Sequence, residues 1–368
     1  MNGTGATYIS GIALAAIYNR GDRMDCGKLA AIIAATALAF SWAILPDIAS
    51  AGSAPPPDDL IDGIQHIDGD WTVSGAENYS NEVIYLTGDL VVTATGALEL
   101  ENVTLIMNCT TVQGEFGITV QGGGALYLND TDGDPATAAD RTHIRKNPAF
   151  AHGYLMQIDA GAVIQSRNSE VSGCGLLASM AGWEMSGPRI LASGALFLNS
   201  TFRNNANGLV CDSGSMMLRN CSVTDNLHNG LLYLNSSVPE SQMALELAGS
   251  DVSRNTKSGI LANADRITLD ITNSTIEDNT EGGLIVIADD YVNATLTGSS
   301  IKRTTKEGGV GIWGTSNRLV IRADLSDNNI SSTRGPSPVR LGFRTAEVPV
   351  HSVFLNMTGN NIWDAGTA

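Results

Sequence analysis

One asparagine recurs at the same place in a short unit written again and again along this chain, and a unit that repeats at a fixed place is the mark of a stacked array rather than a globular core. The unit is plainest where Gly194-Ala-Leu-Phe-Leu-Asn-Ser-Thr-Phe-Arg-Asn-Asn205 is followed by Gly214-Ser-Met-Met-Leu-Arg-Asn-Cys-Ser-Val-Thr-Asp-Asn226. Aligned on an apolar residue, the copies fall at Leu105, Val171, Phe202, Val223, Val252, Ile276, Ile301 and Leu325. Three residues after each come Asn108, Cys174, Asn205, Asn226, Asn255, Asn279, Thr304 and Asn328. Six of these eight are asparagine, so the column is a structural requirement and not an accident of composition.

From Phe202 the spacings are 21, 29, 24, 25 and 24 residues. At roughly 3.3 Å per strand residue, such a period accommodates about three short strands and three turns, and successive coils then pair as parallel strands about 4.8 Å apart. Short alternating runs bounded by Gly or Asn agree: 82–86, 89–93, 97–100, 103–107, 118–120 and 125–128. Leucine-rich repeats share the period, but their consensus and helical half are missing, and no 3.6-residue periodicity is visible. Because parallel strands connect with a right hand, the expected fold is all-β, a single right-handed parallel β-helix over residues 67–368.

Two segments precede it. Lys28 is followed by an apolar run from Leu29 to Leu45, then Pro46 and Ile-Ala-Ser-Ala-Gly-Ser-Ala, the order of a secretory signal with cleavage after Ala51 and a start at Met24. The rival reading of residues 1–51 is an uncleaved N-terminal anchor, the only contact with a membrane that the sequence offers. Residues 52–66, with Pro55-Pro56-Pro57-Asp58-Asp59, read as a linker. Either reading of the leader points to a secreted or cell-surface protein. The formal net charge of −17 argues against nucleic acid, which needs clustered Lys and Arg. Cys109, Cys174, Cys211 and Cys221 share no repeat position and are expected as free buried thiols.

On its asparagine column the chain resembles the right-handed parallel β-helix repeat proteins, the pectate-lyase-like group that includes NosD-type and archaeal cell-surface proteins. The resemblance covers about residues 70–368. It implies the fold and leaves activity open, since the group contains lyases, hydrolases, epimerases and non-enzymatic envelope proteins. In that fold Asn108, Asn205, Asn226, Asn255, Asn279 and Asn328 form a ladder inside a turn, each amide bonding its counterpart one coil away. The glycines that follow, Gly208, Gly230, Gly259 and Gly283, are expected to supply positive φ or a tight bend.

One residue before the asparagines runs a charge column: Asp225, Arg254, Asp278, Arg303 and Asp327. Its plain reading is an ion-pair ladder that settles coil register. Its functional reading, prompted by the resemblance, is a polysaccharide stripe with these residues as catalytic candidates, although Arg neighbours lower an Asp pKa and spoil a general acid. Asp130, Asp132 and Asp134 alternate in a loop that interrupts the repeat and match the first half of a calcium loop, without the glycine and glutamate that complete one. The five histidines have no ligand spacing, so the copper role that a NosD-type comparison would imply finds no support. Asn-x-Ser/Thr sequons are dense, but Asn102, Asn199, Asn220 and Asn273 occupy one repeat position, so the repeat itself generates them.

The expected function is that of an exported, non-enzymatic surface or envelope protein that is structural or presents its long face to carbohydrate. The alternative is a polysaccharide lyase or glycoside hydrolase, calcium-dependent if the acidic loop binds.

Overall fold

The structure, a computed structural model, describes residues 58–61, 64–134, 137, 139–176, 186–212, 214–234, 242–304, 308–314, 319–332, 338–343 and 352–364. All belong to the compact unit Ser50–Ala368, and the leader expected over 1–51 lies outside them. Among the described residues every regular element is a strand. Each coil contributes three, as in Thr201–Arg203, Leu209–Asp212 and Ser215–Arg219. In two coils the second and third strands run on without a break, as Ile260–Thr272 and Gly282–Thr297.

The pairing between coils is parallel, and in register apart from shifts at Ala264–Arg266 and Ile301–Thr304. Along the first face Leu105 pairs with Ile144, Ile144 with Val171, Val171 with Phe202, Phe202 with Val223, and Ile276 with Ile301. A bridge at Asp251 alone carries this face from Ser222 to Thr275. Alternate residues point inward, so Leu98 and Leu100 are fully buried between half-buried neighbours in Ala97–Glu101. The core is therefore a file of aligned aliphatic and aromatic side chains, with Phe197 and Phe202 meeting edge to face at 5.1 Å. Asp58–Ile61, inside the stretch expected as linker, is a strand that folds back antiparallel on Ile64–Asp68. At the other end Val353, Leu355, Met357 and Ile362 stand in register with buried Ile321, Ala323, Leu325 and Ile330 and are themselves exposed.

The asparagines close the first corner. The Asn255 Nδ2 donates to Asn279 Oδ1 at 3.0 Å and to the Val223 carbonyl at 3.1 Å, while its Oδ1 accepts from the backbone and side chain of Asn226 at 3.1 and 2.9 Å. Asn205, Asn226, Asn255 and Asn279 are all buried, and the backbone N–H of Cys174 donates to Asn205 at 2.8 Å. Asn108 stands in the same column lower in the stack, accepting from Asn147 at 2.9 Å.

Asn328 belongs elsewhere. The residue that pairs with Ile301 is Ile330, not Leu325. Leu325 is an inward residue of the third strand column, paired with Leu296 and Met357. Asn328 therefore lies at the third corner, where Ser250, Ser274 and Ser299 form a second buried ladder: Ser250 N–H to Ser274 Oγ at 3.2 Å, Ser274 N–H to Ser299 Oγ at 3.2 Å, and Ser299 N–H to Asn328 Oδ1 at 2.9 Å. Asn360 takes the next place, accepting from Asn328 at 2.9 Å. The local sequence Leu-Ser-Asp-Asn mimics the first corner because both corners need the same thing, a short buried acceptor facing the backbone N–H one coil below.

Gly208, Gly230, Gly259 and Gly283 do not have positive φ. Their role is clearance: a Cβ on Gly259 would sit 2.5 Å from Ile276, 2.7 Å from the Asn279 amide and 2.8 Å from the Gly283 carbonyl. Cys109, Cys174, Cys211 and Cys221 are free and buried, and burial pushes the Cys211 thiol up to about 12 and that of Cys221 to about 11.

Two substitutions test the ladder. Asn255→Ala strands the buried Asn226 amide and the Val223 carbonyl and is expected to cost roughly 3 kcal/mol. Gly259→Ala, which crowds Ile276 and the Asn279 amide, is expected to cost about 1–3 kcal/mol. The denaturant midpoint of each purified variant measures both.

Candidate functional site

The charge column resolves into separate parts. Asp225, Arg254, Asp278 and Arg303 all stand at the first corner with left-handed φ of 58°, 58°, 57° and 53°. Asp327 does not join them; it takes the left-handed position of the third corner, which Asn102, Asn168, Asn199, Asn220 and Asn273 occupy on other coils. The remaining four form two bidentate pairs rather than a continuous ladder. Arg254 donates to both oxygens of Asp225 at 2.9 Å, and Arg303 binds both oxygens of Asp278 and reaches Glu277 at 2.5 Å. The Arg254 hydrogen bonds hold the Asp225 carboxyl below its usual range, and Arg303 does the same for Asp278. Carboxylates held ionised by a forked partner are register clips, poorly suited to give up a proton near neutral pH.

The outer side of the first face gathers a different set. Parallel register stacks His66, Tyr85, Ile106, Arg145, Ser172 and Arg203 in one column. Beside it run Thr104, His143, Glu170, Thr201 and Ser222. The His66 and Tyr85 rings lie flat on each other, centroids 4.9 Å apart and 10° from parallel. Glu170 is nearly buried and accepts from Arg203 Nε at 2.8 Å, while Arg203 remains half exposed. His143 stands one coil below Glu170. Burial lowers its pKa, opposed by Glu170 and assisted by Arg145, Arg141 and Arg203, so its imidazole is neutral at neutral pH.

Those from His143 to Arg203 lie in a basic part of an acidic chain: residues 141–203 carry six Lys and Arg against three Asp and Glu. Sequence reasoning passed over them because an inserted loop separates Ile144 from its glycine-led strand Ala125–Asn129, which breaks the spacing of the unit. The signal available was the alternation in His143-Ile-Arg145 and Glu170-Val-Ser172, which places every second residue on one outer side.

In the interrupting loop, Asp130, Asp132 and Asp140 bring one oxygen each within 4.8 Å of one another. Asp134 is not in this group; its backbone N–H donates to Asp132 Oδ1 at 2.7 Å and closes a short Asx turn. The calcium set expected from alternation thus changes one member. His228 is buried at the first corner, and its burial, with Lys257 nearby, lowers its pKa to about 4.

A family model described as a right handed beta helix region matches residues 90–286. No curated protein matches the chain. Among solved structures, the chain is similar to the periplasmic alginate epimerase AlgG at 10% identity, over 81% of this chain and 79% of that one, with a TM-score of 0.33. It is similar to the Dettilon tailspike protein at 12% identity, over 76% of this chain and 61% of that one, with a TM-score of 0.36. It is also similar to the Azotobacter vinelandii mannuronan C-5 epimerase AlgE4 A-module at 14% identity, over 78% and 90% of the two chains, with a TM-score of 0.31.

The buried histidine sets a pH dependence. A pKa of about 4 in the folded chain, against about 6.5 when unfolded, means that the unfolded state alone takes up the proton between those values. The contribution of neutral His228 to stability is then complete above about pH 6.5 and is lost as pH falls to about 4. Denaturant titrations across this window are expected to show a shallower fall for His228→Asn than for the wild type.

Proposed function

The chain belongs to the right-handed β-helix family, and from that premise we propose that it binds an extended, carboxylate-bearing polysaccharide along the outer side of its first face, outside the cell. The observation that carries this reading is the parallel column in which a flat His66–Tyr85 pair is followed by Arg145 and Arg203, with buried Ile106 and then Ser172 on the coils between, and with Glu170 and His143 alongside. Arg145 and Arg203 stand two coils apart, about 9.6 Å at a coil spacing of about 4.8 Å, an interval that suits a ligand that is itself linear and repeating. Guanidinium forks pair with carboxylates two oxygens at a time, and a stacked aromatic pair offers a flat apolar face to a sugar ring. Glu170 holds Arg203 through Nε, and the Arg203 side chain stays half exposed. Export rests on the leader read from residues 24–51.

A second reading shares the same face. His143 is a neutral base beside the Arg145 and Arg203 cations, the combination needed to remove a proton next to a carboxylate while its charge is neutralised. It supports lyase or epimerase chemistry on a uronate and relocates that chemistry from the Asp225 and Asp278 pairs to His143.

Isothermal titration of the purified chain with a polyuronate and with a neutral glucan tests the binding. Retention of the polyuronate alone, weakened about tenfold in Arg145→Ala, is the expected result. Equal affinity for both glycans, or none for either, overturns it. Ultraviolet-absorbing unsaturated ends, or exchange of solvent deuterium into the polymer, lost in His143→Ala, establish the catalytic reading instead.

A further inference from the structure

We propose that Asn220 and Asn273, at the third corner, carry oligosaccharides attached covalently through Nδ2. Both begin an Asn-x-Ser/Thr triplet, Asn220-Cys-Ser222 and Asn273-Ser-Thr275, but the repeat generates such triplets throughout the chain, so the triplet alone selects nothing. What separates these two from the others is the room and the bonding around the amide. The third corner turns on a left-handed residue, and Asn199, Asn220, Gly249, Asn273 and Gly298 take that place with φ of 51°, 53°, 59°, 48° and 60°. They follow one another up the stack: Asn199 N–H donates to the Arg219 carbonyl at 2.9 Å, Asn220 N–H to Ala248 at 2.8 Å, Gly249 N–H to Thr272 at 3.0 Å and Asn273 N–H to Thr297 at 2.9 Å.

Asn220 and Asn273 therefore each have a glycine on the next coil, whereas Asn199 has Asn220. A Cβ on Gly249 would sit 2.5 Å from Asn220 Oδ1, and one on Gly298 would sit 2.6 Å from Asn273 Oδ1, while each Nδ2 lies beyond 4 Å. The amide thus leans its oxygen over a bare Cα and keeps its nitrogen clear of it. Both asparagines are exposed, and no hydrogen bond among the described residues engages either side chain. Other nitrogens of the same triplet are spent between coils: Asn102 Nδ2 donates to Asn81 Oδ1 at 2.8 Å, Asn108 Nδ2 to Thr87 Oγ1 at 3.1 Å and Asn129 Nδ2 to Glu99 Oε1 at 2.8 Å. A sugar on one of those would break a bond that joins coils. On Asn220 or Asn273 it breaks none.

The sugar donor is a lipid-linked oligosaccharide. Asn Nδ2 bonds to its anomeric carbon, the bond from that carbon to the carrier phosphate breaks, the phosphate oxygen keeps the electron pair, and one amide proton is released; nothing is oxidised or reduced. At about 4.8 Å per coil the two sites stand about 9.6 Å apart, and Gly249 leaves the place between them clear of a side chain. Two bulky, hydrophilic chains then share one edge of the solenoid without meeting a side chain on the coil that separates them. The proposal rests on the export read from the leader, because such transfer takes place on the exported side of a membrane.

Peptide mapping by tandem mass spectrometry tests it, on the full chain recovered from the envelope or medium of the cells that make it. Peptides containing Asn220 and Asn273 are expected to carry mass increments of whole sugars, and those containing Asn102, Asn108 and Asn129 to be bare. Asn220→Asp and Asn273→Asp keep a residue that the same corner position accepts at Asp327, so the turn survives. Each is expected to remove one glycan from the intact mass and to leave polyuronate binding unchanged. Bare Asn220 or Asn273 in the exported chain, or sugar on Asn102, Asn108 or Asn129, overturns the proposal. A chain found only inside the cells overturns export and the proposal together, and the polyuronate titration of the purified chain then judges the binding face by itself.

Discussion

Everything in this protein depends on one exchange between neighbouring coils, the capture of a buried backbone N–H by the side-chain oxygen of the coil next to it. Turns inside a solenoid cannot reach solvent, so their amides must be paired from within. Asn205, Asn226, Asn255 and Asn279 do this at the first corner, and Ser250, Ser274 and Ser299 followed by Asn328 and Asn360 do it at the third. Because each bond joins one coil to the next, the ladders fix register as well as satisfying polarity. A slip by one residue would break every rung and turn the apolar file of Leu105, Ile144 and Val171 outward.

Fixed register is what makes a functional face possible. Residues far apart in sequence, Tyr85, Arg145 and Arg203, stand above one another only because the inward residues between them are locked in file. The same order explains why neighbouring charges do different work. Asp225 and Asp278, at the corner, are each gripped by a forked arginine and hold coils together. Glu170, on the strand, is held through one nitrogen of Arg203, so that the cation is positioned without being consumed.

The columns were legible in sequence wherever the unit was regular. Asn226, Asn255 and Asn279 could be read directly, and so could the pairing partners around them. Reading failed where two corners share a local pattern. Leu325-Ser-Asp-Asn328 has the spacing of the first corner and the position of the third, and only the pairing of Ile301 with Ile330 tells them apart. The serine ladder escaped notice because serine is common everywhere in this chain, whereas a column of asparagine stands out. Glycine was placed correctly, but not for positive φ: Gly259 is needed for its missing Cβ against Ile276 and Asn279, a contact that exists only between coils.

By itself the sequence determined the coil, its period, its parallel stacking and the amide ladder of the first corner, because each of these is written locally and then repeated. The tertiary structure alone decided which column each polar residue joins, that Asp140 replaces Asp134 beside Asp130 and Asp132, and that His143 and Glu170 share a face with Arg203. The reason is physical. Loops of unequal length separate the coils, so the distance along the chain between stacked residues varies from coil to coil, and only the hydrogen-bonded register states which side chains meet.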